Sequence, residues 1–391
     1  MAFVGLLAAS ICPQRAGHGS RQASNIFANR QNTGAEHMTD ARIQSAIAHW
    51  APRLVANGVV LTDFEEVTAS LTSWDDWCRA WSARAATHEQ IGRDALARGK
   101  LRSAGEHLQR AGVYYHFAKF LFMHDAAQMT AAHKKAVACR QAALPYLDPP
   151  GERVEIPFEG KTIYGILRKP AGVATPPIMA MVCGLDSCKE ETDAYEAPFL
   201  ARGIATLAFD GPGQGEAEDD FPIRGNYETA VKAVVDFIET RHDVDPSRIG
   251  LWGVSLGGYY APRAAAFEPR VKACIALSGP FDFGAAWDGL PELTREAFRV
   301  RSHCATQAEA KRNAATLTLE GVASRIACPM FIVTGKLDRV VPWRDAERLA
   351  REVKGPCDLL VIEDGSHVAN NRGYRWRPQS ADWMAERLGA T

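Results

Sequence analysis

The sequence predicts an α/β fold, a mostly parallel sheet with helices on both faces, preceded by a separate helical segment. Three observations predict it. From about residue 151 onward, short apolar runs alternate with amphipathic helical stretches. Between about Ala41 and Tyr146 the apolar spacing is helical and strand-like alternation is absent. A sharp turn, Gly253-Val254-Ser255-Leu256-Gly257-Gly258, joins the apolar run Arg248–Trp252 to the Ala-rich helical run Tyr259–Phe267.

The chain of 391 residues is long enough for one α/β domain of about 250 residues and a smaller one. A net charge of -1 gives a nucleic-acid partner no electrostatic support. No apolar run approaches the ~18 residues of a membrane span. Nine cysteines are scattered without C-x-x-C pairs, which reads as reduced core cysteines of a cytoplasmic protein. Residues 1–37 open on a short apolar stretch without a basic leader region and carry Arg15, Arg21 and Arg30 but no acid before Glu36. They are expected to be disordered, either a leader or an extension ahead of a start at Met38.

Residues 38–148 read as a helical cap domain. Ile43, Ala46, Ile47 and Trp50 recur at helical spacing, as do Val113, Tyr114, Phe117, Phe120 and Leu121. Ser73-Trp74-Asp75-Asp76 reads as a helix start. Most aromatics here, Trp74, Trp77 and Trp81 among them, are expected in the core, with one or two free to face a substrate. Leu147–Gly151 is a linker by composition. The catalytic domain, 149–391, opens with a hairpin, Arg153–Phe158 and Lys161–Arg168 around Glu159-Gly160. Strands follow at Ile178–Val182, Ile204–Phe209, Arg248–Trp252, Val271–Leu277, Met330–Val333 and Asp358–Ile362. Helices are expected at Ala194–Ala201, Asn226–Arg241, Arg344–Val353 and Ser380–Leu388. A helical insertion at about 281–325 separates two core strands, as a lid would.

In such folds ligands sit outside the carboxyl ends of the strands, so residues following each strand enumerate the site. Ser255 stands in a G-x-S-x-G turn between strand and helix, the context of a nucleophile elbow. Asp338 follows the strand Met330–Val333, and His367 follows Asp358–Ile362. Ser255, Asp338, His367 is the chain order of a hydrolase triad, in which His367 takes the serine proton and Asp338 holds the imidazole. His242 and His303 are the competing histidines. Leu256 N–H and Leu185 N–H, the latter beside Gly184 in the loop after Ile178–Val182, are the expected oxyanion donors. Asp186 lies next to that hole, unless it serves as a helix N-cap. Asp210-Gly211-Pro212-Gly213-Gln214-Gly215-Glu216 lacks the residues of a P-loop or a Rossmann fingerprint and reads as a structural loop. No metal-ligand spacing is present, and no cofactor is expected.

These motifs together resemble the α/β-hydrolase fold and, within it, the 2,6-dihydroxypseudooxynicotine hydrolase group, related more distantly to FrsA-type esterases. The shared pieces are G-L-D-S-x-K-E-E (Gly184–Glu191), D-G-P-G-Q-G-E (Asp210–Glu216), G-V-S-L-G-G (Gly253–Gly258), G-x-x-D (Gly335–Asp338) and G-x-H (Gly365–His367). The resemblance runs from about Met38 to the C-terminus. It implies a serine hydrolase that cleaves a C–C bond next to an aryl ketone, on a small and ring-containing substrate, with a homodimer as the family expectation. It also implies a carboxylate near the oxyanion hole, a Glu in the nicotine enzyme and Asp186 here, one methylene shorter, that assists substrate binding or tautomerisation. A carboxylesterase or lactonase using the same triad is the alternative. A non-catalytic binding protein of the same fold is disfavoured by the intact triad.

Overall fold

Glu159 and Gly160 both adopt positive φ, 46° and 79°, so this two-residue turn twists with the strands it joins. The hairpin it closes opens the sheet. The computed structural model describes residues 40–390, so the expected leader or extension lies outside them. The helices α1 (Ala41–Ala56), α2 (Leu61–Ala69), α3 (Trp77–Ala97), α4 (Leu101–Lys119) and α5 (Ala126–Ala143) come first. Ser73 caps the short 3-10 turn before α3, its Oγ accepting from Asp75 N–H, as the sequence predicts.

The strands are β1 (Gly151–Phe158), β2 (Lys161–Arg168), β3 (Pro177–Val182), β4 (Ala205–Phe209), β5 (Asp245–Val254), β6 (Val271–Leu277), β7 (Met330–Gly335) and β8 (Cys357–Ile362). They lie in the order β1-β2-β4-β3-β5-β6-β7-β8. Only the β1–β2 and β2–β4 pairs are antiparallel. Central strands β3 and β4 are buried at every residue, as strands covered on both faces must be. Edge strand β1 alternates, with Val154, Ile156 and Phe158 turned inward.

Between the strands run α6 (Asp193–Leu200), α7 (Glu228–Glu239), α8 (Gly257–Ala265), α9 (Glu292–Arg301), α10 (Gln307–Ala314) and α11 (Trp343–Glu352), and α12 (Arg377–Leu388) follows the last. Val231, Val234, Val235 and Ile238 form the buried face of α7, as their spacing predicts. The insertion between β6 and β7 is less uniformly helical than its sequence suggests. Asp282 and Thr318 pair in an isolated bridge, flanked by bonds from Phe283 N to Leu317 O (2.9 Å) and Leu319 N to Phe281 O (2.8 Å). The insertion thus leaves and re-enters at one point. The C-terminal helix also starts earlier than expected, with Pro378 in its first turn, where a missing N–H costs nothing.

Candidate active site

Ser255 is held at φ 57°, a left-handed conformation that ordinary residues avoid. The elbow around it tolerates no side chains. A Cβ on Gly253 would fall 2.0 Å from Gly257 O, and one on Gly257 would fall 2.4 Å from Val182 O. Ser255 N–H bonds Leu277 O at 2.8 Å, tying the elbow to β6.

The hydroxyl meets His367, its Oγ 2.9 Å from Nε2. His367 Nδ1 stands 2.7 Å from Asp338 Oδ2. A carboxylate only accepts, so Nδ1 carries the proton and Nε2 is left to accept from the serine. The other oxygen of Asp338 accepts from Val340 N–H (2.8 Å) and Val341 N–H (3.0 Å), fixing the carboxylate plane. Both Asp338 and His367 side chains are buried. The competing histidines are elsewhere: His303 Nε2 bonds the Glu218 carbonyl at 2.8 Å, and His242 lies beyond the end of α7.

Leu256 directly follows the serine, and Leu185 follows Gly184 in the loop after β3. Among the described residues neither amide N–H has a protein acceptor. Gly184 packs against the elbow, where an added Cβ would sit 3.1 Å from Ser255 Cβ. Asp186 lines the narrow cavity around Ser255 and His367, together with Arg53, Ser187, Glu191, Tyr195 and Asn370. The N-cap alternative for Asp186 is not realised. The short helix that follows starts at Lys189 with no side-chain cap. Asp186 Oδ1 instead accepts from Arg53 Nη1 at 2.6 Å.

Arg53 was not legible as a site residue. It comes from α1, and Glu191 grips it bidentately, Nε to Oε1 and Nη2 to Oε2, each 2.7 Å. Its guanidinium lies 5.4 Å from the ring centroids of both Trp50 and Phe120. Burial disfavours the Arg53 cation, but Asp186 and Glu191 outweigh it and raise its pKa well above the ordinary value. Burial likewise works against the Glu191 carboxylate, and Arg53 and His116 reverse it, holding Glu191 well below the usual carboxylate range. Trp50 carries the only visible signal: with Arg53 it sits at i,i+3, on one helix face.

Behind Glu191 a second line of reactive types is sealed off. His116 Nε2 is 3.0 Å from Glu191 Oε2, and His116 Nδ1 is 3.0 Å from Cys188 Sγ. Burial pushes the Cys188 thiol well up, which removes it as a nucleophile. The aromatics of α3, α4 and the turn before α3 are core, as expected: Trp74, Trp77, Trp81 and Tyr114 are all buried, and Trp74 stacks on Trp77 at 4.8 Å. Among the described residues one carboxylate group, Glu190, Asp210 and Glu216, is close-set enough for a cation. Lys189 Nζ already fills it, 2.7 Å from one oxygen of each.

The comparisons with known proteins follow this geometry. Residues 191–391 match the prolyl oligopeptidase family. The chain is 36% identical over 356 residues to the 2,6-dihydropseudooxynicotine hydrolase of Paenarthrobacter nicotinovorans, covering 89% of this chain and 94% of that one. The chain belongs to this family of α/β-hydrolases. The crystal structure of a 2,6-dihydroxy-pseudo-oxynicotine hydrolase superposes with a TM-score of 0.80 at 35% identity, over 86% of this chain and 95% of its own. The AbyA5 structure shares the fold, with a TM-score of 0.72 at 20% identity over 90% and 95% of the two chains. The protein is therefore an enzyme, a hydrolase. No helix among the described residues is long and apolar enough to cross a membrane.

Proposed function

We propose that the enzyme hydrolyses a C–C bond adjacent to a ketone in a small aromatic or β-diketone-like substrate, through an acyl-enzyme on Ser255. The Ser255–His367–Asp338 line, at 2.9 and 2.7 Å, supports the acyl-enzyme, and the 36% identity to the 2,6-dihydropseudooxynicotine hydrolase over 94% of its length supports the C–C bond as its target. His367 takes the Ser255 proton as Oγ attacks the carbonyl carbon. Leu185 and Leu256 N–H hold the resulting oxyanion. The C–C bond then breaks, its electron pair leaving on the ring carbon, which the ketonised ortho-hydroxy tautomer stabilises as an enolate. That carbon already holds the proton that migrated from the hydroxyl, so the electron pair passes to the ring oxygen, and His367 returns the serine proton there as the dihydroxy-aromatic leaves. Water, deprotonated by His367, then releases the acid from Ser255.

Asp186 is the substrate-facing carboxylate in this reading. Arg53 donates to Oδ1, while Oδ2 accepts no hydrogen bond from the described residues, and Asp186 lines the cavity. It can accept from a ring hydroxyl and favour the keto tautomer. Residues 38–148 act as the cap and 281–325 as the lid over the site. All eight cysteines among the described residues are free, which fits a reducing compartment.

The test compares wild type with Ser255→Ala and Asp186→Ala on a 2,6-dihydroxyaryl alkyl ketone and on a short p-nitrophenyl ester. Ketone cleavage lost in both variants, with ester turnover kept in Asp186→Ala, supports the reading. Ester turnover without ketone cleavage in wild type would make the protein a carboxylesterase.

A further inference from the structure

The Asp210–Glu216 loop is the one singled-out motif to which the mechanism above assigns no task. Gln214 sits inside it, 1% exposed. Its Oε1 accepts from Gly211 N–H (2.9 Å) and from the Tyr227 hydroxyl (2.7 Å). That pins the amide orientation, because Gly211 N–H can only donate. Nε2 must then face the other way, and it donates to two successive carbonyls, Cys183 O at 2.6 Å and Gly184 O at 3.2 Å. The loop is built for this contact. Gly211 is a glycine because a Cβ there would lie 2.2 Å from the Tyr227 hydroxyl. Gly215 is one because its Cβ would lie 2.0 Å from Asp210 Oδ2.

The Gly184–Leu185 peptide is trans, the single cis bond among the described residues being Asp148-Pro149. In a trans peptide the C=O and the next N–H point in opposite directions. Holding Gly184 C=O toward Gln214 therefore turns Leu185 N–H the other way, where it meets no acceptor among the described residues, and Gly184 itself packs against the Ser255 elbow. The carbonyl on the far side of Leu185 is held as well. Arg301, the last residue of α9, donates Nη1 to Leu185 O and Nη2 to Phe120 O at 3.3 Å. Both peptides flanking Leu185 are thus fixed by side chains from outside its loop.

We propose that Gln214, seconded by Arg301 of the insertion, is a positioning residue that presets the Leu185 N–H for the oxyanion. This rests on the acyl-enzyme reading above. An unheld Gly184–Leu185 peptide could rotate its N–H away, and the donor would have to be reorganised at each turnover. Such a role acts on the transition state and leaves ground-state binding alone.

The test uses the full chain with Gln214→Met, which keeps length and loses the donor, and Arg301→Lys, which keeps charge and shortens the reach. Steady-state turnover of a p-nitrophenyl ester is compared with the inhibition constant of an aryl trifluoromethyl ketone, whose adduct carries the oxyanion. In Gln214→Met, kcat and analogue affinity should fall together by about 10- to 100-fold, short of the ~10²–10³ for outright loss of a donor, with KM within about two-fold. Arg301→Lys should show the same split, more weakly. A rise in KM with unchanged kcat and analogue affinity in both variants would overturn the role, as would activity losses that only track a loss of folded protein by circular dichroism. Full turnover in Ser255→Ala would sink the acyl-enzyme reading and this role with it. Loss in Ser255→Ala with a silent Gln214→Met would sink this role alone.

Discussion

Trp50 stands edge-on to His367, ring centroids 5.8 Å apart and planes at 87°. A residue of the first helix thereby buttresses a histidine more than three hundred positions downstream. The same indole stands edge-on to Phe120 at 5.9 Å, so its own position is fixed. An edge-to-face pair contributes about 0.5–1.5 kcal/mol beyond burial.

Removing that buttress should therefore reach the chemistry. Trp50→Ala is expected to lower kcat about ten-fold, the equivalent of ~1.4 kcal/mol of transition-state energy, as His367 gains freedom against Ser255. Trp50→Phe keeps a ring and should recover most of it. Steady-state kinetics on one substrate decides, and a normal kcat in Trp50→Ala would refute the contact's importance.

The Asp338 carboxylate accepts from His367 Nδ1 and from two backbone amides. An asparagine would present an N–H to at least one donor and favour the wrong imidazole tautomer. Asp338→Asn should lose about 10⁴-fold in kcat while melting near wild type. Turnover within ten-fold of wild type would show that another group orients His367.

Arg53 is the buried cation between two buried carboxylates. Arg53→Met leaves Asp186 and Glu191 without it and should destabilise the fold by about 3–5 kcal/mol, as breaking a buried pair does. Neutralising all three positions together (Arg53→Met, Asp186→Asn, Glu191→Gln) should recover much of that. Urea unfolding of the two variants measures the difference, and equal stabilities would mean the charges are not what Arg53 supplies.

Acid should attack the same network. The folded-state pKa of Glu191 lies below its unfolded value, so the unfolded chain binds more protons between the two. Its contribution is thus complete at neutral pH and is lost as pH falls below the ordinary glutamate range, about 4.3. Unfolding free energy measured from pH 6 downward should drop, and Glu191→Gln should flatten that slope. An unchanged slope would place the acid sensitivity on other carboxylates.

How far these features were legible depends on the range of the interaction behind each. The elbow is local chemistry: a strand must reverse into a helix within a few residues, and a Cβ at Gly253 or Gly257 would strike backbone oxygen. Asp338 and His367 are legible for a related reason, since each follows a recognisable strand at the sheet edge where ligands gather. Asp186 was legible as a position and not as a partner, because an aspartate in a turn looks the same whether it caps a helix or meets an arginine.

The sequence alone therefore determined the sheet, the elbow, the order Ser255, Asp338, His367 and the Gly184 loop that packs on Ser255. These follow from periodicity, glycine placement and strand ends, all read within a few residues. The tertiary structure decided the rest. Periodicity declares one face of α1 buried, but only docking brings Arg53 to Asp186, 133 positions away, and Trp50 to His367. Val368 and Ala369 take φ of 59° and 47° just after His367. Neither residue type favours that conformation, so the bend that seats the histidine is imposed by packing around it.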